Sequence, residues 1–473
     1  MLASYPKVLL GVAVLVWAVV FSVLVYYRHQ RFGSFDFDLG IYDQAVWLLA
    51  RGESFDTVRG LPVFGHHLNL GLLLFVPFYW LGAGPHFLNL VMVAALALGA
   101  VPVFLAAVHH LRNEWLALVL AVTFLLHFSS QWLVQETFHP DVMAVTPVRL
   151  AYVYALRQRW RPYVLWLVFA VAWKEDVALA TTVLGLLLAW RGHRKVGLWS
   201  AGLALAYFLL ATQVVMPAFY AEGPFYEQFF GDLGSSPSEI VGTAVTDPGV
   251  VAAHLGQAEA PAYVRDLALP YAFVPFLAPG GLLIGLPQAL INLLSVQSFT
   301  WSTRAHYVAL PLVGLTIAMV EGVARWPQPG VQRFLVGLVG AFALTTSTVW
   351  GISPFSQEFR AGHWPLQSVP RHAALQAAVD LPPPGAAVSA TYLLVPHLTH
   401  RRNIYTFPNP WRTSNWGVRD EDPHDPSVVD WLVIDRQSLS RQDEVLLGEM
   451  LASGEWRTRR DDDGVLVAER GRV

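Results

Sequence analysis

Phe35-Asp36-Phe37-Asp38-Leu39-Gly40-Ile41-Tyr42-Asp43-Gln44 holds three carboxylates within eight residues. It follows the first hydrophobic run, residues 8–27, and a short basic segment with Arg28 and Arg31. That run carries no charge, is about 20 residues long and is followed by no small-residue cleavage pattern, so it reads as a retained membrane helix and not a signal-peptide core. The acidic stretch thus lies where a membrane helix has just surfaced. Alone it fits a solvated helix exit. Two further polar groups downstream point to function: Glu136, His139 and Asp141 break one hydrophobic stretch, and Lys174, Glu175 and Asp176 break another. Ionisable side chains inside such segments must face a cavity or a partner instead of lipid.

Composition supports the same class. Hydrophobic residues are 55% of the chain and charged residues 14%, which describes a polytopic membrane protein. There is no cysteine, so disulfides and thiolate metal sites are excluded. A net charge of −3 gives nucleic acid no basic surface to bind.

Basic residues in short loops mark the cytoplasmic side. Arg112, the run Arg157, Arg159 and Arg161, the run Arg191, Arg194 and Lys195, and the pair Arg325 and Arg333 fit that role. Eleven helices follow, over 8–27, 86–108, 115–130, 142–157, 163–174, 176–190, 196–216, 263–278, 282–296, 308–324 and 334–350, with external loops 28–85 and 217–262. The N-terminus is then cytoplasmic, and the three polar groups lie together outside. Arg28 and Arg31 fall outside against the rule; Asp36 and Asp38 neutralise them, or they meet an anionic substrate. The helices of the polar-tipped hairpins are short, some near 13 residues where about 20 cross a bilayer. Their tips would end below the surface and line a cavity.

Within loop 28–85, residues 70–82 are apolar and end in Pro77-Phe78-Tyr79-Trp80, the pattern of a helix lying at the interface. Gly65-His66-His67-Leu68-Asn69 precedes it. Adjacent histidines point to different helix faces, a poor chelate, so His66 and His67 suit interfacial hydrogen bonds as well as a metal. The tip at 297–307 carries Arg304 and His306 opposite the acidic groups, and arginine's planar fork suits a phosphate. Trp301 and Tyr307 also fit an aromatic belt with one snorkelling arginine. From about residue 352 the composition changes, so the chain divides into a membrane domain, 1–350, and an external soluble α/β domain, 351–473. In the latter, 386–390, 403–407 and 431–435 read as strands, 441–453 as a helix and 456–469 as a hairpin. Its Pro396-His397-Leu398-Thr399-His400-Arg401-Arg402 is a cationic patch or a solvated loop.

Phe37-Asp38-Leu39-Gly40 with Gln44 and Trp47, Gly65-His66-His67, Phe138-His139-Pro140-Asp141, Trp173-Lys174-Glu175-Asp176, and Pro396-His397-Leu398 with Arg402 and Tyr405 resemble a prokaryotic family of predicted membrane proteins of unknown function. That family is placed in the GT-C superfamily of polyprenyl-phosphate-sugar-dependent glycosyltransferases. The likeness covers nearly the whole chain, and the order of its short motifs carries the weight. It implies a mainly α, GT-C-like fold in the cell membrane and a transferase moving sugar from a polyprenyl-phosphate donor to a glycan, lipid or protein acceptor outside. Asp38 would be the catalytic carboxylate, with Asp36 the second candidate, because residues two apart in an extended segment share a face. Asp43, Gln44, His66, His67, His139, Lys174, Arg304, His306, His397 and Arg402 would bind substrate. Glu136, Asp141, Glu175 and Asp176 form an oxygen-rich set suited to Mg²⁺ or Mn²⁺. The Lys174-Glu175-Asp176 tip is more acidic than in the superfamily's aminoarabinose and mannosyl transferases. A transporter or flippase of a lipid-linked or polar substrate is the alternative, though no repeated halves are seen.

Overall fold

In the computed structural model, which describes residues 4–220, 225–234, 237–257, 259–413 and 424–471, the first apolar run forms the core of the helix Tyr5–Gln30. Val8, Val12, Leu15, Val16 and Val19 are exposed on one side of it, while Leu10, Trp17, Phe21 and Leu24 are buried. A continuous exposed apolar face of that size belongs against lipid. The helix stops through its own backbone: Gly33 N–H donates to the Arg28 carbonyl at 2.8 Å, and Phe32 N–H to that of His29 at 2.9 Å. Phe32 takes the left-handed position at φ 56°, where glycine is usual. Its ring lies 4.2 Å from that of His397.

Helices hold 68% of the chain, so the protein is mainly α. Among the described residues, five are long and apolar enough to cross a membrane: Tyr5–Gln30, Pro85–Leu111, Arg194–Phe219, His306–Ala324 and Pro329–Trp350. Glu114–Leu126 and Phe128–Gln135, bent by 42°, make a sixth if they are one span. Pro140–Leu156, Trp160–Val171 and Val177–Trp190 are shorter. The expected helix 263–278 is not continuous. Glu259–Ala268 ends, and Ala272 and Phe273, at φ 50° and 58°, separate the short turns Leu269–Tyr271 and Val274–Leu277. Pro270 and Pro275 each remove a helix donor, which hydropathy does not register. Part of loop 217–262 lies outside the described residues; the rest carries Pro237–Thr246 and Pro248–Leu255.

Loop 28–85 is itself folded. It runs through the helix Ile41–Leu49, strands β1 (Phe55–Asp56) and β2 (Leu61–Pro62), which pair antiparallel, the turn Val63–His66, and Leu70–Phe75 continuing into Val76–Trp80. Leu70, Leu73, Leu74, Phe78 and Trp80 are exposed, as an interfacial helix requires.

The C-terminal sheet has five strands: β3 (Val388–Ala390), β4 (Ile404–Thr406), β5 (Trp431–Asp435), β6 (Trp456–Asp462) and β7 (Val465–Arg470). Their order is β4-β3-β5-β7-β6, with β4, β3 and β5 parallel and the rest antiparallel. Strand alternation divides its apolar residues between two faces. Val388, Ala390, Ile404, Val433 and Val467 join the main core with Leu375 and Ala378 of the helix Pro370–Val379. Leu432, Ile434, Leu466 and Ala468 pack with Leu447 and Met450 of the helix Arg441–Ala452.

Candidate active site

Asp36 and Asp38 lie in a wide helical turn, Asp36–Gly40, and not in an extended segment, so their side chains part. Asp36 is 1% exposed and accepts from Thr406 Oγ1 of β4 at 2.5 Å. Burial outweighs that bond and lifts its carboxyl to about 7. The Asp38 side chain is 21% exposed and lies 2.9 Å from His139 Nε2. Burial raises the Asp38 carboxyl, but the charge of His139 outweighs it and leaves it below the ordinary value. Burial works against the His139 cation too, and Asp38 overcomes it, holding the imidazole at about 9. The two are an ion pair.

The turn before the helix Pro140–Leu156 presents His139. Thr137 is at φ 78°, a strained position for a threonine. Phe138 is buried against Tyr42 and Phe75. The His139 ring stacks on His306 at 3.8 Å. His306 Nδ1 is 3.4 Å from Glu136 Oε1, without hydrogen-bond alignment, and Glu136 Oε2 has no partner. Burial pushes Glu136 up to about 8. One donor atom each from Glu136, His139 and His306 lie within 4.8 Å of one another.

The second hairpin tip adjoins this group. Lys174 Nζ is 3.0 Å from Asp176 and 4.0 Å from Asp141. Burial disfavours its charge, but Asp176 and then Asp141 hold it protonated well above its ordinary range. Glu175 turns away and binds His67 Nδ1 at 2.7 Å and the Leu68 N–H at 3.1 Å. Despite burial, that pairing with His67 brings it down to about 2. The four carboxylates expected as one metal set are therefore three separate features. An ammonium already sits between Asp141 and Asp176, His67 takes Glu175, and Glu136 joins two imidazoles. The candidate metal group includes two histidines, His139 and His306, that the sequence alone suggests only as substrate ligands.

Several other candidates hold the loop together. Asp43 accepts from Tyr79 at 2.5 Å and from Thr399, and lies 3.2 Å from His400. Gln44 donates to Thr57 and to the Arg401 and Arg402 carbonyls, and accepts from Val58 N–H. His66 is buried at a small pocket shared with Tyr42, Asp56, Arg59 and Asn69. His397 stacks on His29 at 4.2 Å. Segment 396–402 is thus mostly a buried seam: Arg401 is buried, and Arg402, its side chain 72% exposed, pairs with Glu53 at 2.7 Å. Neither a solvated loop nor a cationic patch forms over most of it, because the motif's apolar and hydroxyl residues pull it inward. Arg304 pairs with Glu358 at 2.9 Å over the Trp132 ring, turned from the acidic groups. The sequence reading missed Tyr42, which contacts both His139 and Phe138; its place one turn after Asp38 was the available signal.

The chain is similar to the crystal structure of ArnT from Cupriavidus metallidurans in the apo state, with TM-score 0.57 and 12% identity over 98% of this chain and 98% of that one. It is also similar to ArnT of the same organism bound to undecaprenyl phosphate, with TM-score 0.52 and 12% identity over 96% and 97%. At this identity the likeness is one of fold: the chain has the fold of ArnT, a GT-C glycosyltransferase. No curated protein matches the chain. The chain belongs to the family described as predicted membrane protein (DUF2079), whose profile matches residues 28–467.

Proposed function

We propose that the protein is a membrane glycosyltransferase moving a sugar from a polyprenyl-phosphate donor to a glycan, lipid or protein acceptor at the external face. The observation that carries the reading is the partly exposed Asp38, held by His139 beside Lys174 and Asp141 at the end of the first span. An acceptor hydroxyl attacks the anomeric carbon, its proton passes to Asp38, and the bond from that carbon to the phosphate oxygen breaks with inversion. The polyprenyl phosphate leaves as the anion. Asp38 stays ionised, ready to accept the proton, while His139 fixes its orientation.

Glu136 Oε2 is buried without a partner, and with His139 deprotonated on its ring nitrogen away from Asp38, Glu136, His139 and His306 would hold a divalent cation. Two imidazoles and a carboxylate suit Mn²⁺ or Zn²⁺ better than Mg²⁺. When bound, the ion would add positive charge near the departing phosphate. The orientation follows from charge. Arg157 and Arg191 end the helices whose other ends carry Asp141 and Asp176, which supports an orientation with the basic ends and the N-terminus in the cytoplasm and the sheet outside.

Purified protein incubated with a panel of polyprenyl-phosphate sugars should release polyprenyl phosphate. Asp38→Asn should lower that release by about 10²–10⁴-fold, the worth of a general base, with an unchanged melting temperature. Near-normal release by this variant removes Asp38 from the chemistry and the reading with it.

A further inference from the structure

The cations around the site differ in how far their charge is already answered. Lys174 lies between Asp176 and Asp141. Arg304, its side chain 41% exposed, faces Glu358. Arg31 is half-buried with Nη1 unpartnered, and its guanidinium lies over the Tyr27 ring, 5.1 Å from the centroid. Arg28 is the more deeply enclosed of the two. It is 5% exposed, and among the described residues its side chain has no ion pair or hydrogen bond, with Nε buried and unpartnered. The carboxylates whose fields reach it are Glu136 and Asp38.

Its position is built. The backbone turn that ends the first helix brings Gly33 against the Arg28 stem, where a Cβ would lie 3.1 Å from Arg28 Cγ. The guanidinium carbon is 5.3 Å from the Phe35 ring centroid. A cation near a helix C-terminus is favourable in itself, and Arg28 adds positive charge near Asp38. Neither role needs a buried guanidinium with its donors unanswered, because His139 already pairs with Asp38. Burying such a group without hydrogen bonds is costly. A planar fork with free donors matches the oxygens of a phosphate.

We infer that Arg28, and not Arg304, seats the donor: its clamped, unpartnered guanidinium at the end of the first helix receives the monophosphate of the lipid-linked sugar. The inference rests on the transferase reading and narrows it. Arg28 then holds the departing phosphate on the face of the anomeric carbon opposite the acceptor hydroxyl and Asp38, so both ends of the displacement are served from one segment of chain, residues 28–38.

The test uses the full-length protein in detergent, with a polyprenyl monophosphate and the corresponding polyprenol as probes, and binding read by native mass spectrometry. Wild type should bind the phosphate at least about tenfold more tightly than the alcohol. Arg28→Gln should lose that preference, about 10–100-fold in affinity for the phosphate, a larger drop than Arg304→Gln gives. Arg28→Lys, which keeps charge without the fork, should fall between. If Arg28→Gln binds the phosphate as wild type does, the inference is wrong while the transferase reading stands. If wild type itself does not distinguish phosphate from alcohol, the donor reading fails first. Should the Gln variant not fold, Arg28→Lys decides, and wild-type affinity there overturns the role of the guanidinium.

Discussion

Asp36 and Asp38, two residues apart, meet opposite surroundings, and the difference has a measurable sign. Asp36 and Asp56 are both buried, and burial lifts their carboxyls from 3.8 to about 7 and about 8. A raised carboxyl keeps its proton in the folded state where the unfolded chain has lost it. Its stabilising contribution is present below the unfolded value and is lost as pH rises through the folded one. Thermal stability should therefore fall between pH 4 and pH 8, at most by roughly 1.4 kcal/mol per pH unit for each group. Asp36→Asn should flatten the slope below about pH 7, so that variant and wild type differ most favourably for the variant at pH 8; melting curves at both ends check it. Thr406→Val should cost about 1–3 kcal/mol at pH 5, since a buried carboxyl oxygen loses its partner. The sequence singled out the pair but not which member is buried and which partly exposed. That distinction depends on the wide turn at Asp36–Gly40 and on a threonine far along the chain, neither of which local pattern reveals.

The end of the first helix joins strain to packing. Phe32 holds a backbone conformation that disfavours a side chain by about 1–2 kcal/mol, and its ring is buried against His397. Phe32→Ala keeps the strain and loses the ring, so it should destabilise by about 3–5 kcal/mol. Phe32→Gly loses the ring but not the fit, and should cost about 1 kcal/mol less than alanine; denaturation midpoints separate the two. Where helices Val177–Trp190 and Arg194–Leu210 cross, a Cβ on Gly197 would come within 2.4 Å of Ala189 N and 2.5 Å of Gly185 O. Gly197→Val should part these helices and lower folded yield, read as monodisperse protein after extraction. Elements were legible where a periodic run met a clear stop. Strands β3, β4 and β5, the helix Arg441–Ala452 and the helix Leu70–Trp80 follow from pattern alone. The stretch 263–278 did not, because its apolar run hides two prolines and two left-handed residues.

At the scale of the molecule, the first loop is bonded to the C-terminal segment that carries the sheet. Asp36, Gln44 and Thr57 of the loop meet Thr406, the Arg401 carbonyl and the Ile404 carbonyl of that segment. A reporter fused after the C-terminal strand should be active outside the cytoplasm, and one placed near Arg159 active inside; an inverted result would put the sheet and the loop bonded to it in the cytoplasm and overturn the external-face reading. Truncation after Trp350 should leave the first loop without these partners and give protein that is degraded in the membrane, followed as loss of full-length signal after synthesis stops. The bonds between loop and segment also order events in time. The bond from Thr406 to Asp36 joins residues 370 apart, and a chain made at about 5–20 residues per second takes roughly 20–70 s to deliver the second after the first. During that interval the loop around Asp38 has emerged but cannot close. The proposed site is thus completed late in synthesis, and a nascent chain whose first loop has already been inserted lacks the partners that close it until β4 arrives.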